Sequence, residues 1–344
     1  MVSMIVAAVV APVSARLVRV PVTLSSTNGQ AVSKEYPNIS PGMEFNEVIP
    51  SWNLENAGNG SVRVELRVHT PAGKSKWFRM ADWSGDNTWQ PRQSTDDQKD
   101  DDGNVLTDTL RTPVLRSKVD LKVTLVSKPD KSTKVKLLTL CFSNTKLVAE
   151  QASWPTRKLG VVSDVPERAQ NNYPNGGVLC SATSTSMMLW HYSKLLNRPE
   201  LDRDVPEVEK AVWDPVYKGA GNWPFNTAFF GSFPGLRACV SRFTSISDVE
   251  ALTEAGIPVV CSVSLDLLQG KPKAGGGGHL VIVVGFRPDG TPVINDPAFK
   301  AGVRKTYKRA DFEKAWCFSK RTVYLMLPDS KKLPKDPLKL WSFR

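Results

Sequence analysis

From Arg16 to about residue 150, apolar and polar positions alternate with period two. Residues 17–24, 62–68, 119–126 and 135–140 each predict a strand with one face in a core and one in water. No helix-length periodic segment interrupts them, so residues 16–150 predict an antiparallel β-sandwich. After Ser153-Trp154-Pro155 the pattern changes. Small residues, a helical stretch over residues 180–196 and near-continuous apolar strands predict a second, α+β domain over residues 156–328. Ser247, with Glu250 three residues on and Gly256 at the far end, marks a further helix. Residues 329–344 are rich in Lys and Pro and read as an extended appendage. At the other end, residues 4–10 form a short apolar run, followed by Val13-Ser14-Ala15. The small residues sit where an export peptidase reads, although a positive n-region is missing, so residues 1–15 predict an export segment. The competing reading is a buried first strand.

Composition narrows the class. A chain of 344 residues suits two domains, and 41% hydrophobic with 23% charged residues is the balance of a folded protein. No apolar run reaches the roughly 18–20 residues that span a bilayer. The net charge of +11 favours acidic partners. No basic stripe interleaved with aromatics accompanies it, so nucleic acid is not an expected partner. Five cysteines are too few for a disulfide scaffold. Export, secreted or to the cell envelope, would permit bridges among Cys141, Cys239, Cys261 and Cys317. Three histidines, His69, His191 and His279, leave little room for a metal site, and no cofactor is expected.

The chemistry gathers around Cys180. The turn Asn175-Gly176-Gly177-Val178-Leu179 feeds a helix and puts Cys180 at its N-terminus, where free N–H groups and the macrodipole favour a thiolate. A nucleophilic thiolate needs a base. His191 lies eleven residues along the same helix, roughly 16 Å away. His69 falls in the other domain. His279 remains, opening an apolar strand after Gly275-Gly276-Gly277-Gly278. These glycines lack the Lys-Ser/Thr of a phosphate loop and precede a strand; Gly278 and its neighbours instead let backbone pass close to a substrate. A turn at Arg287-Pro288-Asp289-Gly290 would pair Phe286 with Thr291 and set Asp296 opposite Val281, one diagonal step from His279. Asn295 would face away, and a one-residue change in the loop would exchange the two. Gln170 is the candidate oxyanion donor beside the Cys180 N–H, and Trp223 is a candidate cleft residue.

The order Gln170, Cys180, His279, Asp296 resembles the papain-fold cysteine peptidases. More narrowly it is similar to the bacteriocin-leader-processing peptidases and their C39-like bacterial relatives. Cys180-Ser181-Ala182-Thr183-Ser184, Gly221-Asn222-Trp223-Pro224-Phe225-Asn226-Thr227, Ala255-Gly256-Ile257-Pro258-Val259-Val260, Gly278-His279-Leu280-Val281 and Asn295-Asp296-Pro297 carry the resemblance over most of residues 160–328. It implies a papain-like α+β fold, Cys180 as nucleophile, His279 as base, Asp296 as its orienting group and Gln170 as oxyanion donor. Ala182 and Leu179 depart from the common pattern around the cysteine without removing a catalytic group.

In the first domain, Trp52, Trp77, Phe78, Trp83 and Trp89 look available to stack on a glycan or to bind a cell-surface ligand; core packing is the alternative. The acidic run at residues 96–103 lacks carboxylates at the first and twelfth positions of a calcium loop. The expected function is hydrolysis of peptide or related amide bonds. The alternatives are a catalytically silent binding protein and a thiol transamidase.

Overall fold

The computed structural model describes residues 14–147, 159–275 and 277–342. The apolar run at residues 4–10 and the expected domain junction at residues 150–156 lie outside the described residues.

Residues 15–143 hold β1 (Ala15–Arg19), β2 (Ser25–Thr27), β3 (Ala31–Ile39), β4 (Phe45–Glu55), β5 (Gly60–Thr70), β6 (Gly73–Lys74), β7 (Phe78–Ser84), β8 (Asn104–Leu106), β9 (Thr109–Arg116), β10 (Val119–Ser127) and β11 (Ser132–Ser143). They form two antiparallel sheets. One runs β1-β11-β4-β9-β8 with β2 also on β11; the other runs β3-β10-β5-β6 with β7 on β5. The period-two pattern has its expected cause. In β10, Val119, Leu121, Val123 and Leu125 are sealed in the core, while Lys122 and Thr124 between them are only half-buried. Trp52, Phe78 and Trp83 are also core residues, as the core-packing reading has it, so these three offer no stacking surface. Trp77 remains half-buried under the cations of Arg67 and Lys122.

The second half contains α1 (Cys180–Leu196), α2 (Val205–Val212), α3 (Trp223–Phe230), β12 (Leu236–Arg242), α4 (Ile246–Glu254), β13 (Val259–Ser264), α5 (Leu265–Leu268), β14 (Gly278–Phe286), β15 (Pro292–Asn295), β16 (Arg304–Thr306), α6 (Arg309–Phe318) and β17 (Thr322–Pro328). Its strands form one antiparallel sheet, β12-β17-β13-β14-β15-β16. α1 lies against this sheet through small hydroxyl residues. Ser184 donates to Leu280 O (3.2 Å), and Ser181 shares a hydrogen bond with the Tyr324 hydroxyl (2.8 Å). Short side chains let the helix come close, which brings its first residue beside the start of β14.

Two expectations need correction here. α4 starts two residues early, with Ser245 and Asp248 as the capping box. Asp248 Oδ2 accepts from Thr244 N, Thr244 Oγ1 and Ser245 N, three bonds that fix this box. The tail is not an appendage. Leu340 and Trp341 are fully buried, Trp341 packs edge-on to Phe243, and Lys339 O accepts from Leu17 N (2.8 Å). The five cysteines are free thiols.

The halves meet along β4 and the sheet edge β12. An edge strand exposes unpaired backbone groups, and here side chains satisfy them. Asn53 accepts from Ala238 N (2.9 Å) and donates to Ala238 O (3.0 Å); Ser51 accepts from Val240 N (2.9 Å); Lys136 donates to Leu236 O (2.6 Å). A Cβ on Gly231 would overlap Asn53, so only glycine admits this amide. β4 is buried on both faces except at its last residue. That is why its Glu47, Ser51 and Asn53, which look like surface residues in sequence, are covered.

Candidate active site

Cys180 heads α1 behind a tight turn over Gly176–Val178. The first helical bond is Thr183 N to Leu179 O (2.8 Å), so the N–H groups before it are free of the helix ladder. Ser181 N–H and Leu280 N–H both donate to the sulfur. His279, the second residue of β14, is 5% exposed. It is hydrogen-bonded to Cys180, and its Nε2 contacts Asp296 Oδ1 at 2.7 Å, which leaves Nδ1 for the sulfur.

Burial alone would raise the Cys180 thiol. The hydrogen bond and charge of His279, with the two backbone donors, bring it below its ordinary value. Burial alone would depress His279, but its bonds to Asp296 and Cys180 outweigh that and hold it up to about 10. Asp296 is pushed up by burial and more strongly held down by His279, Tyr307 and the Ala298 N–H. The three groups therefore favour a thiolate, an imidazolium and a carboxylate in one line.

The hairpin reaches this arrangement by an unexpected route. Its loop is one residue longer than the sequence predicts, since Phe286 pairs with Pro292 rather than Thr291. A register shift between Val283 and Gly285 then restores the expected pairing, with Ile282 opposite Asn295. Gly285 itself runs against the backbone of residues 161–162, where a Cβ has no room. Asp296 thus faces His279. Asn295 turns away to donate to Val165 O (3.0 Å) and to accept from Arg304 Nε (3.1 Å).

Gln170 is buried nearby in the loop before Cys180. Its backbone N–H donates to Pro297 O (2.9 Å), which ties that loop to the segment after Asp296, and its Nε2 donates to Gly176 O (2.7 Å). A cleft of about 620 Å³ opens over the sulfur, and Cys180, Trp223 and Gly278 all line it. The other histidines are elsewhere. His191 Nδ1 lies 3.3 Å from Asp164 O, and His69 Nε2 is 2.7 Å from Asp120.

Two family models match the sequence. One, Peptidase C39 N-terminal domain, covers residues 14–143, and the other, Peptidase C39-like family, covers residues 162–323. Residues 162–323 are a C39-like peptidase domain. A crystal structure of a candidate C39-like peptidase from Bacillus anthracis is similar over 49% of this chain and 98% of its own, at 19% identity and a TM-score of 0.36. No curated protein matches. Of the two C39 matches, the first spans the two amino-terminal sheets, and the second contains Cys180, His279 and Asp296.

Sequence reasoning missed two residues at the site of this C39-like chain. Tyr307, just after β16, donates to Asp296 Oδ2 (2.5 Å); with His279 and Ala298 N on Oδ1, both carboxylate oxygens are engaged. Nothing in the spacing marks it. Asp108, in the β8–β9 turn, lines the cleft from the other half of the chain. Tyr307→Phe deletes one bond to a charged group, worth about 1.5–3 kcal/mol. The expected result is a fall of about tenfold or more in kcat/KM, with a further acid-side inflection moved upward as Asp296 loses a donor that lowers its pKa. An unchanged profile would show that Tyr307 does not support the carboxylate.

Proposed function

We propose that the chain is a cysteine peptidase, with a papain-like domain over residues 156–328 behind a β-sandwich over residues 16–150. The observation that carries this reading is the hydrogen-bonded line from Cys180 through His279 to Asp296, with its sulfur end in an open cleft. The Cys180 thiolate attacks the scissile carbonyl carbon. The resulting oxyanion is met by the Cys180 N–H and the second Nε2 hydrogen of Gln170. The His279 imidazolium gives its proton to the leaving amine, and a thioester remains. Water then attacks the thioester and loses its proton to His279. The acid product departs, the sulfur is expelled as thiolate, and the ion pair returns. Asp296 keeps the ring oriented and stabilises its charge in both halves. The apolar run at residues 4–10 supports export of the enzyme.

The test uses the full chain with iodoacetamide and peptide mapping by mass spectrometry. Cys180 is expected to be alkylated fastest at neutral pH. Burial pushes Cys141, Cys239 and Cys261 up in pKa, and Cys317, though exposed, lies in the last turn of α6 rather than at a helix N-terminus. Prior alkylation of Cys180 should abolish hydrolysis of a fluorogenic peptide library. Equal, slow labelling of all five thiols would favour the silent binding protein. Release of product only when an amine acceptor is added would favour transamidation.

A further inference from the structure

The cleft is built by both halves of the chain. Among the large apolar residues that stay exposed, four line it: Leu106 of β8, Val178 before Cys180, Tyr217, and Phe318 at the end of α6, each 41–50% exposed. Apolar side chains gathered around one opening mark a binding surface. Asp108 stands among them and differs in kind. It is 8% exposed. Its Oδ2 accepts from Trp223 N (3.0 Å) and its Oδ1 from Thr109 Oγ1 (3.0 Å). A carboxylate accepts about four hydrogen bonds, so each oxygen retains a free position. Among the described residues no cation is within ion-pair distance of it. Arg111, on the same wall, is held by Glu47 (2.8 Å). Lys218 also lines the cleft but makes no ion pair with Asp108. The charge of Arg242, itself paired with Glu47, reaches Asp108 only from beyond contact distance; carboxylates are seldom buried without a contacting counter-charge, and this one opens onto the cleft of Cys180.

We propose that the amino-terminal half is a specificity element of the peptidase. The β8–β9 turn presents Asp108 as the counter-charge for a lysine or arginine side chain of an extended peptide, whose neighbouring apolar side chains rest on Leu106, Val178, Tyr217 and Phe318. The turn is shaped for this. Thr107 adopts a left-handed φ of 58°, and Asp108 N donates back to Leu106 O (2.7 Å), which turns the carboxylate away from its own sheet toward α3. The alignment of β4 with β12 holds the turn at a set distance from Cys180, so recognition is built in before substrate arrives. This inference rests on the peptidase reading above and adds the substrate class.

The test compares fluorogenic peptides that differ at one position, arginine against its neutral isostere citrulline, scanned along the peptide. The full chain is expected to favour arginine at one position by about 10–100-fold in kcat/KM, the range for a charge-assisted bond. The preference should shrink with added NaCl. In Asp108→Asn, which keeps an acceptor for Trp223 N, the ratio should fall to about twofold or less. A ratio near one at every position in the unmodified protein overturns the inference, as does an unchanged ratio in Asp108→Asn. The salt series and the unmodified ratio decide the matter if that variant does not fold. Binding of fluorescein-labelled arginine and citrulline peptides to full-length Cys180→Ala, read by anisotropy, gives the same comparison without turnover. If the chain cleaves nothing yet binds the arginine peptide more tightly, the peptidase reading fails and the recognition site stands. If it cleaves peptides without regard to arginine, the reverse holds.

Discussion

His279→Ala is expected to lower kcat/KM for peptide hydrolysis on the order of 10⁴-fold, the scale seen when one member of a nucleophile–base–carboxylate unit is removed. The cause is double. The leaving amine loses its proton donor, and Cys180 loses the partner that opposes its burial. With His279 present, the thiol is depressed and the thiolate survives as pH falls below the ordinary thiol range. The imidazole is raised, so its charge persists as pH rises toward about 10. The ion pair therefore spans neutral pH. Activity should fall on the acid side as Cys180 takes up a proton and on the alkaline side as His279 loses one. In the variant only burial and two backbone N–H groups act on the sulfur, so the inflection of its iodoacetamide labelling rate should move to higher pH. A neutral-pH plateau retained by His279→Ala would sink the ion-pair account. Circular dichroism of the variant checks that the fold is intact.

Glu47→Leu is expected to cost about 3–5 kcal/mol, the scale for removing one partner of a buried ion pair, against a total stability of about 5–15 kcal/mol. One Glu47 carboxylate, buried in β4, meets Arg242 of β12 (2.5 Å), Arg111 of β9 (2.8 Å) and Lys320. Arg242 is itself 3% exposed, so deletion leaves a buried guanidinium without its carboxylate. The melting temperature should drop on the order of 10 °C by scanning calorimetry. Adding Arg242→Met should recover much of the loss, because the stranded charge goes with it. The pH dependence has a definite sign. Burial raises the Glu47 carboxyl, but Arg242 and Lys320 outweigh it and lower the pKa. Its contribution is therefore complete above the ordinary carboxylate range and is lost as pH falls through the lowered value. The gap between parent and variant should narrow in acid. A melting temperature unchanged at neutral pH would mean that the halves are not held by this cluster.

The two predictions concern different kinds of information. The line from Cys180 to Asp296 lies within reach of local signals: a glycine turn before a run of small residues, a histidine at the start of an apolar strand, and a hairpin with a marked turn. Even there, the contact of Asp296 with His279 comes about through two compensating departures, a longer loop and a bulge, because turn residues predict that a chain reverses but not how many residues it spends. α4 shows the same limit. Ser245 with Asp248 and Ser247 with Glu250 both satisfy the capping pattern, and the three donors gathered by Asp248 decided between them. The tail misled for a related reason. Its two buried anchors, Leu340 and Trp341, sit in a stretch too short for any period to emerge.

By itself the sequence determined the strand-rich first half, the helix that begins at Cys180, and the candidates Cys180, His279 and Asp296 that the fold brings together, because alternation, capping and turn chemistry act over a few residues and leave their mark there. Only the tertiary structure decided that the polar face of β4 is an interface, that Tyr307 braces Asp296, and that Asp108 from the first half enters the cleft of the second. Those roles come from groups far apart in the chain that meet through packed surfaces, and a buried polar residue awaiting a distant partner looks, in one dimension, the same as one facing water.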